Sequence, residues 1–266
     1  MGEPGTIPAG ARRASAPEPA RDEAPPVTPE QHSLRRSVFL HLAPGAALFL
    51  FVLALAPLLG DWAIFALFGG IGLVIVPLEL GYLLREGRRK HGRWTLEGVV
   101  NYDARLSRRQ YALWGAALAA WFIVLLALSV GVLDEAIADA LFSWLPESIR
   151  DFAAFEDDAD ASGWLVAALL VVAFAFNGIA GPIVEELYFR GHLLPRIDRL
   201  GRRAPVLNAV LFSLYHLWTP WQNPGRIVAL LPWIYVVWRK RSVRLSIIVH
   251  VTVNLTFLLF VLAVFL

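Results

Sequence analysis

The chain has 266 residues, 57% of them hydrophobic and 17% charged, with a formal net charge of +2 and a mean hydropathy of +0.57. So little polar surface cannot cover a core of that composition in water, which excludes a soluble domain and leaves a polytopic membrane protein. No cysteine is present, so disulfides, thiolate metal sites and cysteine nucleophiles are excluded too. The arginines lie beside apolar runs, an arrangement that fits membrane topology and argues against nucleic acid as a partner.

Met1 to about Pro29 is rich in Pro, Ala, Glu and Arg without an apolar period. Residues 1–36 are therefore expected to be a disordered cytoplasmic tail and not a secretory signal. Seven spans follow, at 37–60, 62–84, 111–133, 164–195, 205–218, 226–238 and 245–266. The fourth exceeds what a crossing needs and should tilt or leave the hydrocarbon at its basic end. The fifth and sixth are short, which is tolerable where helices surround them instead of lipid. The expected fold class is thus an all-α transmembrane helix bundle with a cytoplasmic N-terminus. N-terminal helices and a basic cytoplasmic loop occupy 37–133, an acidic extracytoplasmic loop 134–163, and a C-terminal helix bundle 164–266.

Loop charge sets the orientation. The connections REGRRKHGRWTLEGVVNYDARLSRRQ, RIDRLGRR and RKRSVR are rich in Arg and Lys, whereas the loop after the third span is acidic and carries only Arg150. WTPWQNPGR is nearly uncharged. Positive charge alternates with each crossing, which puts the basic loops in the cytoplasm and the C-terminus outside. DEAIADALFSWL, with Phe142 and Trp144 on its apolar side, reads either as an interfacial helix or as a plain connector. The basic loop after the second span reads as an orientation signal, with anionic lipid binding as the alternative.

A short set of polar side chains remains at membrane depth: Asn177, Glu185, Glu186, Arg190, His192, Asn208, His216, His250 and Asn254. Ionisable groups inside spans usually face the bundle interior and mark function. Glu186 and Arg190 are four residues apart and can neutralise each other on one helix, whereas Glu185 points about 100° away and has no local partner. Asn208, Phe212 and His216 form one stripe of the fifth span, and His250 and Asn254 lie four apart on the last. With a rise of about 1.5 Å per residue, Glu185 and His216 lie roughly 16 Å from the cytoplasmic ends of their spans, Asn254 roughly 15 Å and His250 roughly 9 Å. Such levelling is consistent with one buried, wet site in the cytoplasmic half.

A carboxylate beside an imidazole can deprotonate water and later protonate a leaving amine. A second imidazole with an amide can face an oxyanion. The same residues could also serve a proton- or ion-coupled carrier. A zinc site would need Glu185, His216 and His250 as its ligands, although neither H-E-x-x-H nor G-x-S-x-G occurs in the chain. The carrier lacks support from any internal repeat, and a satisfied interhelical hydrogen-bond network without chemistry is the bland alternative.

EELYFR (185–190), FSLYH (212–216) and HVTVN (250–254) resemble, in order, the EExxxR, FxxxH and HxxxN motifs of the CPBP family. This is the Abi or CAAX-protease-like group of intramembrane glutamic proteases that includes the Rce1-type CAAX prenyl endopeptidase. The resemblance covers about Gly163 to Leu266. It implies an intramembrane endopeptidase in which Glu185 is the general base assisted by His216, and His250 and Asn254 stabilise the oxyanion. Glu186 and Arg190 would then hold the helix, and Phe212 would pack beside the site. The resemblance further implies that no cofactor is required, although the family has carried a metalloprotease label. The substrate would be a membrane-associated peptide or lipidated protein, CAAX-type in the prenyl-protease branch. The short chain suits a multi-pass protein of a prokaryotic plasma membrane, embedded in lipid. A catalytically inactive scaffold is the remaining alternative. Outside the motifs, His192 is expected to be interfacial, and Asn177 and Asn208 to join helices. Trp218, Trp221, Trp233 and Trp238 are expected to form an interfacial belt with some core packing. GIAGP (178–182) should loosen the fourth span just before Glu185, giving water and peptide access.

Overall fold

The structure is a computed structural model that describes residues 1–2, 29–130, 132–145, 150 and 163–265. Residues 3–28 of the expected tail, and most of the acidic loop after Leu145, lie outside the described residues.

Among the described residues the apolar runs form eight helices: α1 (Leu34–Leu59), α2 (Ile64–His91), α3 (Arg108–Ser129), α4 (Leu133–Phe142), α5 (Gly163–Leu200), α6 (Arg203–Tyr215), α7 (Asn223–Lys240) and α8 (Val243–Phe265). No strand occurs among the described residues. Five of these helices, all but α4, α6 and α7, are long and apolar enough to cross a membrane. At 13 residues α6 is too short to span alone, and α7 carries Arg226, Arg239 and Lys240 within 18 residues. These two are the short spans expected from sequence. They pack on each other, α6 also against α1 and α7 against α3, so helices rather than lipid meet much of their surface.

Local chemistry starts several helices. Ser33 caps α1 by accepting from the Arg36 N–H at 3.3 Å. Ser107 and Gln110 close a reciprocal capping box at α3, which satisfies two orphan backbone donors. Gly92, at φ 70°, ends α2 in the left-handed region that glycine adopts without strain. The bundle's outer face stays apolar: Leu50, Leu58, Leu128, Leu259 and Phe260 are exposed, as lipid contact requires.

The ends read as cytoplasmic meet at one end of the bundle. The backbone N–H of His32 donates to Arg196 at 2.8 Å, and the Gln31 side chain donates to the Pro195 carbonyl at 2.9 Å. The basic loop after α2 folds beneath the bundle: Asn101 N–H donates to Gly191 at 2.7 Å, and Ala104 N–H to Arg241 at 2.9 Å. Val243 N–H donates to Tyr102 at 2.7 Å. Asp198 accepts from Trp238 and Arg241, each at 2.6 Å. Each seam joins segments assigned to the same side by their charge.

α5 is wound unevenly. An α-helical start gives way to a π-helical stretch at Ala173–Ala180, an α-helical turn at Gly181–Glu186, a second π-helical stretch at Leu187–Leu193 and a tighter end at Leu194–Leu200. π-turns are rare and mark places where a helix must re-aim side chains. The GIAGP segment is therefore a change of winding. A Cβ on Gly181 would stand 2.6 Å from the Phe176 carbonyl and 2.7 Å from Ile71, so only glycine lets α5 approach α2 there.

Candidate active site

The α-helical turn between the two π-stretches holds Glu185 and Glu186, both buried. Their surroundings differ as their rotation on the helix demands. Glu186 is bound on every side. Its Oε1 lies 3.3 Å from Arg190 Nη1 and accepts from His250 Nδ1 at 2.8 Å, while its Oε2 accepts from Ser246 at 2.5 Å. Ser246 in turn accepts from the Trp233 indole at 2.8 Å. The Arg190 guanidinium is fully buried, and its contact with Glu186 is an ion pair without hydrogen-bond geometry. It lies 3.9 Å from the Phe212 ring centroid, with Trp233 at 5.5 Å and Phe189 at 6.0 Å. Ring faces can supply about 2 kcal/mol to a desolvated cation, and here they complement a single carboxylate. Phe212 thus packs directly on Arg190.

Glu185 has fewer partners. Its Oε1 accepts from the Tyr215 hydroxyl at 3.1 Å, and His250 Nε2 lies 3.8 Å from its Oε2. His250 therefore stands between both glutamates, one at each ring nitrogen. His216 caps the end of α6 (φ −79°, ψ 62°), and its Nδ1 lies 2.8 Å from the Phe212 carbonyl. A carbonyl can only accept, so Nδ1 carries the proton and Nε2 keeps its lone pair. Asn254 donates to the Asn177 backbone carbonyl at 2.7 Å, tying α8 to the π-helical stretch of α5. Phe212 and Trp233 stack edge-on against His250, at 6.1 and 5.4 Å between centroids.

Glu185, His216, His250 and Asn254 all line one cavity of about 380 Å³, together with Asn177, Gly181, Pro182 and Phe212. Four helices surround the polar end, and the rest of the wall is apolar, including Ile64, Leu67, Phe122 and Leu230. A water held there would share its walls with a carboxylate and two imidazoles.

Several side chains differ from their expected places. His192 is buried rather than interfacial, 1% exposed: its Nδ1 lies 3.1 Å from the Val99 carbonyl and its ring contacts Tyr82 and Tyr188. The cause is the basic loop, which folds over this part of α5 instead of leaving it at the membrane surface. Trp218, Trp221 and Trp233 are buried too, so the expected belt is mainly core. Trp218 lies against His216 at 4.9 Å. Asn208 joins helices as expected, donating to the Phe189 carbonyl at 3.2 Å and lying 3.0 Å from His41 of α1.

Sequence reasoning missed Glu79, Tyr215, Arg226 and the Ser246–Trp233 pair. Glu79 of α2 is fully buried, and it faces Glu185, Tyr215 and Arg190. Neither of its oxygens reaches hydrogen-bond geometry, although the Tyr215 hydroxyl is near enough to interact with it. A lone acid in the apolar run IGLVIVPLEL was a readable signal. Tyr215 carried none, since a tyrosine in an apolar helix is ordinary.

Among the described residues no three His, Asp or Glu side chains are grouped to hold a metal ion. His250 Nδ1 is held by Glu186 and His216 Nδ1 by the Phe212 carbonyl, and such contacts orient each ring so that Nε2 is the nitrogen left for a ligand.

The family model described as type II CAAX prenyl endopeptidase Rce1-like matches residues 165–256. No curated protein and no solved structure matches the chain. The matched stretch begins at the start of α5 and ends within α8, so it contains the three motifs and every side chain of the Glu185 cluster except Glu79. The match supports, at the level of class, a protease in an integral membrane protein that acts on a membrane-associated protein. Over residues 165–256, which supply the polar end of the cavity, this chain is similar to the type II CAAX prenyl endopeptidase Rce1-like family.

Proposed function

We propose that the protein is an intramembrane endopeptidase that hydrolyses a peptide bond with water activated by Glu185 and His216, without a metal. The observation that carries this reading is the convergence of Glu185, His216, His250 and Asn254 on one cavity inside an apolar bundle. Glu185 takes a proton from the water as its oxygen attacks the carbonyl carbon. The His216 Nε2 lone pair orients that water. The tetrahedral oxyanion is met by His250, through an N–H at Nε2, and by the Asn254 amide. Collapse breaks the C–N bond, and the proton held by Glu185 passes to the leaving amine.

Glu186 has two roles in this scheme: it offsets the Arg190 charge and orients His250 through Nδ1. The Rce1-like match favours a prenylated, CAAX-type peptide as substrate. Our reading puts the cavity in the cytoplasmic half of a prokaryotic plasma membrane, and the basic residues gathered at one end of the bundle support that side.

Purified protein in detergent should cleave an S-prenylated peptide ending in Cys-Ala-Leu-Leu, while Glu185→Ala and His216→Ala should lose at least about 100-fold in kcat, the scale of an acid–base contribution. Undiminished cleavage by Glu185→Ala would overturn the mechanism.

A further inference from the structure

Some of the positive charge at the basic end of the bundle has no counter-charge, and part of it gathers where α3, α7 and α8 converge. α3 packs against both other helices. The Leu106 N–H donates to the Tyr111 hydroxyl at 3.2 Å, and that hydroxyl lies 3.5 Å from Ser242 Oγ in the turn between α7 and α8. A backbone bridge joins Asp103 to the same Ser242. The loop before α3 and the α7–α8 turn therefore form one surface. Lys240 lies over the Trp114 ring, with Nζ 5.7 Å from its centroid, and an indole face attracts a cation without cancelling its charge. Arg105 and Arg244, both exposed, act electrostatically on the Tyr111 hydroxyl. Arg241 beside them is paired with Asp198 at 2.6 Å. By contrast, Arg105, Lys240 and Arg244 form no ion pair among the described residues. Asp103 is the one acid within 101–107 and 240–244.

The surface below this cluster limits the anion that fits it. Trp114, Trp121 and Leu128 follow one another at helical spacing down the outer face of α3, and all three are exposed. Indoles at the end of a membrane-spanning helix sit where headgroups give way to acyl chains. A soluble anion would use only the charged end, whereas a phospholipid matches the charge and the apolar stripe together. Basic pockets between helices on this face of a membrane suit acidic headgroups. We propose that Arg105, Lys240 and Arg244 form a binding site for the phosphate headgroup of an anionic phospholipid, whose acyl chains lie along α3 against Trp114 and Trp121. The site is separate from the Glu185 cavity and does not depend on the endopeptidase reading. The bound phosphate also relieves repulsion between Lys240 and Arg244, and so holds together the ends of the helices that carry Trp233 and His250.

The test uses the full chain, stripped of lipid in a non-ionic detergent, with dioleoylphosphatidylglycerol and dioleoylphosphatidylcholine as probes. The readout is the ratio of their apparent Kd values in native mass spectrometry. A basic group near an anionic surface contributes about a fivefold factor, so the wild type should prefer phosphatidylglycerol by at least about 25-fold. Lys240→Gln combined with Arg244→Gln should reduce this preference to about fivefold or less. Arg35→Gln combined with Arg36→Gln, at the start of α1, should leave it unchanged. If the first pair does not fold, Arg105→Gln in the exposed loop takes its place, with a preference about fivefold lower than the wild type's. Equal binding of both lipids by the wild type overturns the site, as does a preference that survives in the variant used. Equal loss in the Arg35 and Arg36 pair shows diffuse attraction to the whole basic end, and overturns it too. Inorganic phosphate that displaces phosphatidylglycerol better than sodium chloride of equal ionic strength assigns the charges to a soluble anion, which overturns the lipid.

Discussion

Tyr215 holds Glu185 from the neighbouring helix, with its hydroxyl 3.1 Å from the carboxylate. The other end of Tyr215 is equally constrained: a Cβ on Gly45 of α1 would stand 2.0 Å from its backbone carbonyl. Glycine at 45 thus sets the spacing of α1 and α6, and that spacing delivers the hydroxyl to the glutamate. Tyr215→Phe removes only the hydrogen bond. It should lower kcat about 10-fold, equivalent to about 1.4 kcal/mol, with KM little changed in steady-state assays on the prenylated peptide.

Gly45→Ala drives a methyl group into backbone that cannot move without displacing α6. Overpacking of this kind costs about 1–3 kcal/mol or more. A lower unfolding temperature in detergent is expected, together with a loss of activity at least as large as that of Tyr215→Phe. Retention of both would show that α1 and α6 separate freely.

Arg190→Ala leaves Glu186 buried with His250 and Ser246 but without its counter-charge. Removing one member of a buried ion pair typically costs about 3–5 kcal/mol, and here stacking on Phe212 is lost as well. Unfolding in detergent should reveal a loss on that scale. Arg190→Ala combined with Glu186→Gln should recover part of it, because no lone charge is left behind.

Glu79 gives the opposite sign. Its carboxyl oxygens are buried without hydrogen-bond geometry, so Glu79→Met should raise the unfolding temperature, by the equivalent of about 1–3 kcal/mol. A fall would reveal a partner that holds the carboxylate.

His32, just before α1, lies outside the spans and is depressed to a pKa of about 4, chiefly by burial and then by Arg36 and Arg196. The unfolded chain takes up this proton near 6.5, so between pH 6.5 and 4 the unfolded state binds more protons than the folded one. Stability therefore rises with pH across that window and is lost as pH falls through it. The seam between residues 31–32 and the end of α5 should open first, visible as faster hydrogen exchange at the His32 amide. His32→Gln should flatten this dependence.

Apolar runs longer than a bilayer and basic loops at alternate ends were sufficient to read the bundle and to sort its ends, and those ends do meet in space. Helical spacing likewise marked Glu186 with Arg190 and singled out Glu185, His216, His250 and Asn254, which share one cavity. It did not reveal that His250 lies closer to Glu186 than to Glu185, that Asn254 spends a donor on the Asn177 backbone, that Glu79 is buried beside Glu185, or that Arg226 lines the cavity. Arg226 was hidden in a loop that reads as nearly uncharged. Spacing along one helix depends on 3.6 residues per turn, a property of covalent geometry that every helix shares. Which side chain meets which across helices depends on the rotation and axial slide of each pair. Close contacts such as Gly45 against Tyr215 and Gly181 against Ile71 set those two quantities, and they exist only once the helices have packed.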